Sequence, residues 1–413
     1  MTTHPNGRPA NGRSDAKLKL PGTQPDLGRA LEEAIEISAR RGSALTSVVT
    51  QASAAFSPSP DGILGAPKTP VPHPSELPSH VLEGVRDVDI MRALSPLAPA
   101  MKEVECEIER LITTPVKLVA DIAAHVLGAG GKRLRPALTL LSAQMCGDDP
   151  AEPSDRVVTC AALVELTHTT TLLHDDVVDG ATMRRGKPAA NLVWGNETSV
   201  LVGDYLFAQV FVTASHRGIA ELMHPLATAT AQMCAGELLE TQMRGFWEMS
   251  ERQYLDIVAL KTGALTECSC RMGALAIDAP EEQVEALGTF GRSIGVAFQI
   301  VDDVFDIVLE AEQIGKPVGN DLREGAITLP MLHALEFSPD REELRRILAS
   351  DEKSADDIAR AIQILRGGDA VGSAMRVARE YVEAAQNVLD SFPDSSAKSM
   401  LCDIADYVLA RRK

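Results

Sequence analysis

Residues 157–179 read VVTCAALVELTHTTTLLHDDVVD, and Glu165 is the only charged side chain between Val157 and Leu173. No proline or glycine interrupts the run. A helix so free of charge is mostly buried rather than solvated. It ends in a burst of acid, Asp175, Asp176 and Asp179. Residues four apart share a helix face, so Asp175 and Asp179 project together with Asp176 beside them. His168 lies seven residues before Asp175, and Thr171 four before it, on the same stripe. A short acidic cluster standing alone is most simply a solvated surface. One that grows out of a buried helix marks the mouth of a cavity.

The pattern recurs 127 residues later. FQIVDDVFDI supplies Asp302, Asp303 and Asp306, again after an apolar run that includes Ile294, Val296, Ala297, Phe298, Ile300 and Val301. If the two helices face each other, six carboxylates form a funnel above an apolar cavity. Mg²⁺ is a hard cation that takes one or two carboxylates, several waters and substrate phosphates. So many metal-binding groups require a polyanionic ligand, and diphosphate fits.

Basic groups stand where such a ligand needs them. GAGGKRLRP carries Lys132, Arg133 and Arg135 behind Gly128, Gly130 and Gly131. ATMRRGKP places Arg184 and Arg185 five and six residues past Asp179. KTG contributes Lys261, and GKPVGNDLREG contributes Lys316, ten residues past Asp306. Each alone is an ordinary surface cation. Together they suit two phosphate subsites, one reached through metal and one through direct contact, since arginine offers paired donors and lysine a point charge. GxxxxGK[ST], GxSxG, HExxH, GxGxxG and EF-hand loop patterns are all absent. Cys268 and Cys270 read as helix packing, and Trp194 and Trp247 as structural.

The rest of the chain frames this core. Of 413 residues, 40 are Lys or Arg and 58 Asp or Glu, a net charge of −18. A polyanion would be repelled, which excludes non-specific nucleic-acid binding. Residues 1–85 carry eight basic and eight acidic side chains, so the whole excess belongs to 86–413. Eleven of the 24 prolines fall in 1–85, seven of them within 57–80. Residues 1–25 read as disordered and 57–80 as an extended linker. Between them, Leu27, Ala30, Leu31, Ala34 and Ile35 share one face of a short helix over 26–40. The N-terminus has no apolar secretory core, and Glu32, Glu33 and Glu36 suit a transit peptide poorly, which leaves organellar targeting as the weaker alternative. Seven scattered cysteines favour a reducing, cytoplasmic setting. No run of eighteen apolar residues predicts a membrane span.

Beyond residue 86, helical patterns fill 97–127, 155–179, 197–216, 220–246, 251–276, 281–309, 328–336, 340–350, 354–366 and 370–391. No repeat of 20–50 residues is visible. The expected architecture is one all-α bundle over 86–413.

GGKRLRP, LLHDDVVD, RRGKPAANLVWGN, VGDYLF, KTG, FQIVDDVFD and KPVGNDLREG–TLP, in this order, resemble the trans-isoprenyl diphosphate synthases, especially the medium- and long-chain polyprenyl type. The resemblance spans about residue 95 to the end. It implies the all-α isoprenoid synthase fold around a central cavity, a homodimer, and up to three Mg²⁺ ions with bound diphosphate. By that analogy Asp175, Asp176, Asp179, Asp302, Asp303 and Asp306 hold metal and the allylic diphosphate. Arg184, Lys261 and Lys316 would neutralise the leaving diphosphate. Lys132, Arg135, His168 and Arg185 would hold isopentenyl diphosphate, with Thr262 and Gln299 along the allylic site. The implied reaction is ionisation, condensation and proton loss, with water excluded.

Short-chain members of that family carry bulky aromatics four and five residues before the first aspartate. Here Thr171 and Thr170 stand there, so a product longer than C15 is expected, C30 or more. Phe207 and Phe211 are candidates for a deeper floor. Two positions depart from the family pattern: Ala326 stands where Lys is usual, and Glu240 where Gln is common. A geranylgeranyl-type product, a class I terpene cyclase and a non-catalytic subunit of a heteromeric synthase are the competing readings. The second DDxxD and GGKRLRP argue against the cyclase, and the retention of both aspartate-rich motifs argues against the non-catalytic subunit.

Overall fold

The computed structural model describes residues 88–149, 151–308, 319–350 and 352–411. The predicted features of 1–85, and Lys316, lie outside the described residues. Seventeen α-helices run in order among them. The first five are α1 (Ile90–Ala93), α2 (Ala98–Ile112), α3 (Lys117–Leu127), α4 (Leu134–Met145) and α5 (Asp155–Val178). Next come α6 (Ala190–Trp194), α7 (Asn196–His216), α8 (Met223–Met243), α9 (Glu251–Val258), α10 (Ala264–Ala276) and α11 (Glu281–Val308). The last are α12 (Asn320–Glu324), α13 (Leu329–Phe337), α14 (Arg341–Leu348), α15 (Ala355–Gly367), α16 (Ala370–Val388) and α17 (Ser396–Ala410).

The all-α expectation holds, with one two-residue hairpin. Met183–Arg184 pairs antiparallel with Lys187–Pro188. Its turn uses Arg185 and Gly186, both at positive φ (50° and 77°), as two-residue hairpin loops require. The expected single helix over 97–127 is two, because Pro115 lacks an N–H and cannot continue a helix. Over 251–276 the helix also divides, through a π turn at Ala259–Gly263 that carries Lys261 and Thr262. Such turns recur at functional sites. Helices α4 and α17, and the short α1, α6 and α12, fall outside the periodic segments. Nine of the twelve α4 residues are buried, so α4 has no polar face to create a period.

The two acid-bearing helices occupy the centre. α5 buries Val157 through Thr167 without a break, and its one mid-helix charge, Glu165, meets Arg133 at 2.5 Å. α11 packs against α10, α16 and the π turn. α8 crosses that turn at Gly236, where an added Cβ would stand 2.6 Å from the Lys261 amide nitrogen. Only glycine lets the backbones approach so closely, and this contact fixes the height of Lys261 in the site. One helix among the described residues, α7, is long and apolar enough to cross a membrane, with mean hydropathy 1.2. It packs along α5. All seven cysteines are free.

Candidate active site

Two cavities meet above the π turn. The larger, about 820 Å³, is lined by Asp175, Asp302, His168 and Arg135 together with apolar side chains that include Leu172, Met233 and Leu265. The smaller, about 440 Å³, is lined by Asp179, Asp303, Glu240, Asp321, Arg244 and Ala326. Arg184, Lys261 and Gln299 border both.

The first acid cluster divides its labour. Asp175 faces the larger cavity, and burial, reinforced by Glu237, pushes its carboxyl up to about 7. Asp179 faces the smaller one, where burial again raises its carboxyl. Asp176 turns away: it is 1% exposed and accepts from Arg184 Nε at 2.7 Å and Nη2 at 2.5 Å. Position i+1 lies about 100° round the helix from i, which takes Asp176 off the shared face.

The second cluster divides differently: its i+1 carboxylate, Asp303, lines the smaller cavity, and its i+4 carboxylate, Asp306, does not. Asp302 accepts from Arg411 Nη1 at 2.5 Å. Asp303 is buried and accepts from the Tyr254 hydroxyl at 2.6 Å and from Gln299 Nε2 at 2.8 Å. Burial outweighs those bonds and raises its carboxyl to about 7. Asp306 is turned to structural use, accepting the backbone N–H groups of Asn320 at 3.0 Å and Asp321 at 3.1 Å. The expected six-carboxylate funnel is therefore built from Asp175, Asp179, Asp302 and Asp303, and Asp176 and Asp306 brace it from behind.

Sequence reading did not single out several other groups. Glu237 and Asp321 line the cavities, and burial with Asp303 and Asp306 nearby holds Asp321 well above the usual carboxylate range. Arg411 is 7% exposed, with its guanidinium 3.7 Å from the Phe298 ring centroid and 5.0 Å from that of Phe305. No three-carboxylate cage closes on a single point among the described residues.

The basic wall is preformed. Arg133 sits at φ 49°, reaching Glu165 and the Leu127 carbonyl (2.8 Å). Arg185 donates to the Gly130 carbonyl and packs over Gly131, where a Cβ would stand 2.6 Å from its Nη1. A φ of 145°, which residues other than glycine rarely adopt, explains the glycine at 131. Arg135, His168, Arg184 and Arg185 converge on the larger cavity. Burial and then the arginines, Arg135 first, depress His168 well below the usual histidine range, so its imidazole is neutral. Lys132 stands apart, its Nζ 5.2 Å from the Tyr407 ring centroid. Lys261 is gripped by Glu237 at 2.9 Å and by Glu240. Those two acids outweigh burial and raise its pKa. Thr262 donates to Gln299 Oε1 at 2.8 Å.

Of the chain-length candidates, Thr171 lines the larger cavity. Thr170 is buried, donating to the Leu166 carbonyl. Phe207 and Phe211 pair edge-to-face at 5.0 Å, with Phe211 44% exposed on α7. Neither lines the larger cavity, so the floor expected of them is not formed there.

Two acid clusters and an arginine wall around a cavity with polar and apolar lining in an all-α bundle define a prenyl-transferring enzyme class. The polyprenyl synthetase family model matches residues 116–365. A nonaprenyl diphosphate synthase from Mycobacterium tuberculosis is 36% identical over 332 residues, 79% of this chain and 97% of its own. Component 2 of heptaprenyl diphosphate synthase from Geobacillus stearothermophilus is 35% identical over 312 residues, 76% and 96% of the two chains. A polyprenyl synthase from Caulobacter crescentus, solved with calcium and isoprenyl diphosphate, superposes with a TM-score of 0.75 at 34% identity. The alignment covers 79% of this chain and 99% of that one. The chain belongs to the polyprenyl synthetase family, and it is a prenyl diphosphate synthase.

Proposed function

We propose that the chain condenses isopentenyl diphosphate head-to-tail with an allylic diphosphate and releases an all-trans product longer than C15. One observation carries the length: Thr171, a small side chain, lines the larger cavity one turn below Asp175, about 6 Å deeper at 1.5 Å per residue. Residues 86–413 are the catalytic domain in this reading, and 1–85 an extension.

The donor set fits Mg²⁺. Asp175 is half-buried and Asp303 buried, burial raises both carboxyls to about 7, and a divalent cation beside them would favour their ionised form. Asp175, Asp179, Asp302 and Asp303 would hold the ions, with water and substrate oxygens completing each shell. Bound Mg²⁺ would neutralise negative charge on the departing diphosphate.

The side chains do the rest. Lys261 and Arg184, on the wall between the cavities, would receive the allylic diphosphate, and Lys316 would add a third cation. Arg135, Arg185 and neutral His168 would orient isopentenyl diphosphate, with Lys132 at the rim. Thr262 and Gln299, bonded to each other, would flank the allylic C1. Positive groups fixed before ionisation stabilise the charge that develops as the C1–O bond breaks. The apolar walls exclude water that would quench the allylic cation. The isopentenyl double bond then attacks, and the proton it sheds passes to the released diphosphate.

We also propose a homodimer. Leu201, Phe211 and Val212 are 60%, 44% and 47% exposed along one stripe of α7. A second copy would bury that stripe. The Geobacillus relative is named as one component of its synthase, so an unlike partner is the competing reading. Light scattering and labelled-isopentenyl incorporation by the chain purified alone separate the two. An active dimer supports the proposal, and a chain inactive until an unlike subunit is added overturns it. Failure to incorporate isopentenyl diphosphate under any condition would overturn the synthase reading, and a cyclic hydrocarbon would favour a cyclase.

A further inference from the structure

The smaller cavity is rich in acid. Asp179, Asp303, Asp321, Glu240 and Glu324 line it, against Arg184, Lys261 and Arg244. Lys261 lies between Glu237 and Glu240, and Arg184 is bonded to Asp176. Ala326, standing where the family pattern has lysine, offers no charge.

Arg244 lines the same cavity as Ala326. It follows the last residue of α8, where the backbone leaves the helix at φ −52° and ψ 127°. The next residue, Gly245, donates its N–H to the Gly325 carbonyl at 2.7 Å. The segments carrying Arg244 and Ala326 are thereby stitched together. The Arg244 guanidinium lies 3.8 Å from the Asp179 carboxylate, with its side chain 32% exposed. It therefore sits beside a carboxylate assigned above to metal. A guanidinium presents paired N–H donors that match phosphate oxygens, which a lysine at 326 would meet only as a point charge.

We propose that Arg244 is a substrate-binding residue, the cation that contacts the allylic diphosphate in place of the lysine missing at 326. The inference rests on the synthase reading above. It assigns to Arg244 a role that no sequence motif marks, and it makes the 244–245 and 325–326 segments one composite phosphate-binding element.

The test is a rescue across the gap. Arg244→Gln, Arg244→Lys and the double variant Arg244→Gln/Ala326→Lys are compared with the parent in steady-state KM for allylic and for isopentenyl diphosphate. Binding of inorganic diphosphate in the presence of Mg²⁺ is measured by calorimetry. Arg244→Gln should raise the allylic KM and weaken diphosphate binding about tenfold, equal to about 1.4 kcal/mol. The isopentenyl KM should stay within about twofold. Arg244→Lys should lose less, and Ala326→Lys should restore most of the loss in the double variant. An unchanged allylic KM, an equal rise in both KM values, or no recovery in the double variant would overturn the proposal. A residue that merely held the loop in shape would not be rescued by a lysine on the other segment. Calorimetry needs no turnover, so it decides on Arg244 even where the parent fails to incorporate isopentenyl diphosphate.

Discussion

Raising the pH from 6 to 8 will tighten divalent-metal binding about tenfold at each acid cluster. Burial, then Glu237, raises Asp175 to about 7. Burial raises Asp303 to about 7 against the bonds from Tyr254 and Gln299. A carboxyl of pKa 7 is ionised about one part in eleven at pH 6 and about ten in eleven at pH 8. The metal binds the ionised form, so each cluster's affinity follows that ratio, and binding at pH 7 expels about half a proton per cluster. Mn²⁺ titrated into substrate-free protein at pH 6, 7 and 8 reads both quantities, the protons through buffers of different ionisation enthalpy. Asp303→Asn should remove the pH dependence of one cluster and leave the other. Affinities equal within twofold at pH 6 and 8 would refute the reasoning. The same shifts set the stability. A folded-state pKa above the unfolded value of 3.8 gives stability that is complete below that value. It is lost as pH rises through about 7. Metal-free protein should therefore melt lower at pH 8 than at pH 5, and Mg²⁺ should close the gap.

Thr171→Phe should fill the cavity beneath Asp175 and shorten the product, read by mass spectrometry; an unchanged length would remove Thr171 from the channel. Tyr254→Phe deletes a 2.6 Å bond to the buried Asp303 carboxylate, which should cost about 1–3 kcal/mol in thermal unfolding. It should also move the acid limb of the pH–rate profile upward. Arg411→Gln releases Asp302 and the stacked Phe298. With Asp302 42% exposed, a loss of about 1–2 kcal/mol is expected from denaturant unfolding. Glu240→Gln removes one of two carboxylates from Lys261 and should lower the allylic KM several-fold.

The helices that carry the chemistry were legible because their patterns are local. A charge-free run that ends in DDxxD announces burial and site together, and α5 and α11 follow it closely. α4 was illegible for the opposite reason: buried on nearly every side, it has no polar face to set a period. The break at 113–116 turns on one proline inside an otherwise helical texture. In the site, residue types were legible and side-chain directions were not. Whether Asp176 faces the cavity depends on Arg184, and Asp306 on the N–H groups of Asn320 and Asp321. Arg411 reaches Asp302 from 109 residues away, a distance over which no spacing rule operates. Arg244 gained meaning only when the chain brought Gly245 against Gly325.

The central claim is that the two aspartate clusters and the larger cavity that Thr171 lines act as one polymerising site. The most direct test is the mass of the product formed from isopentenyl diphosphate, an allylic primer and Mg²⁺ by the purified chain. A linear all-trans polyprenyl diphosphate beyond C15, carrying several isopentenyl units per primer, is predicted. A primer extended by a single unit, or not at all, would contradict the account.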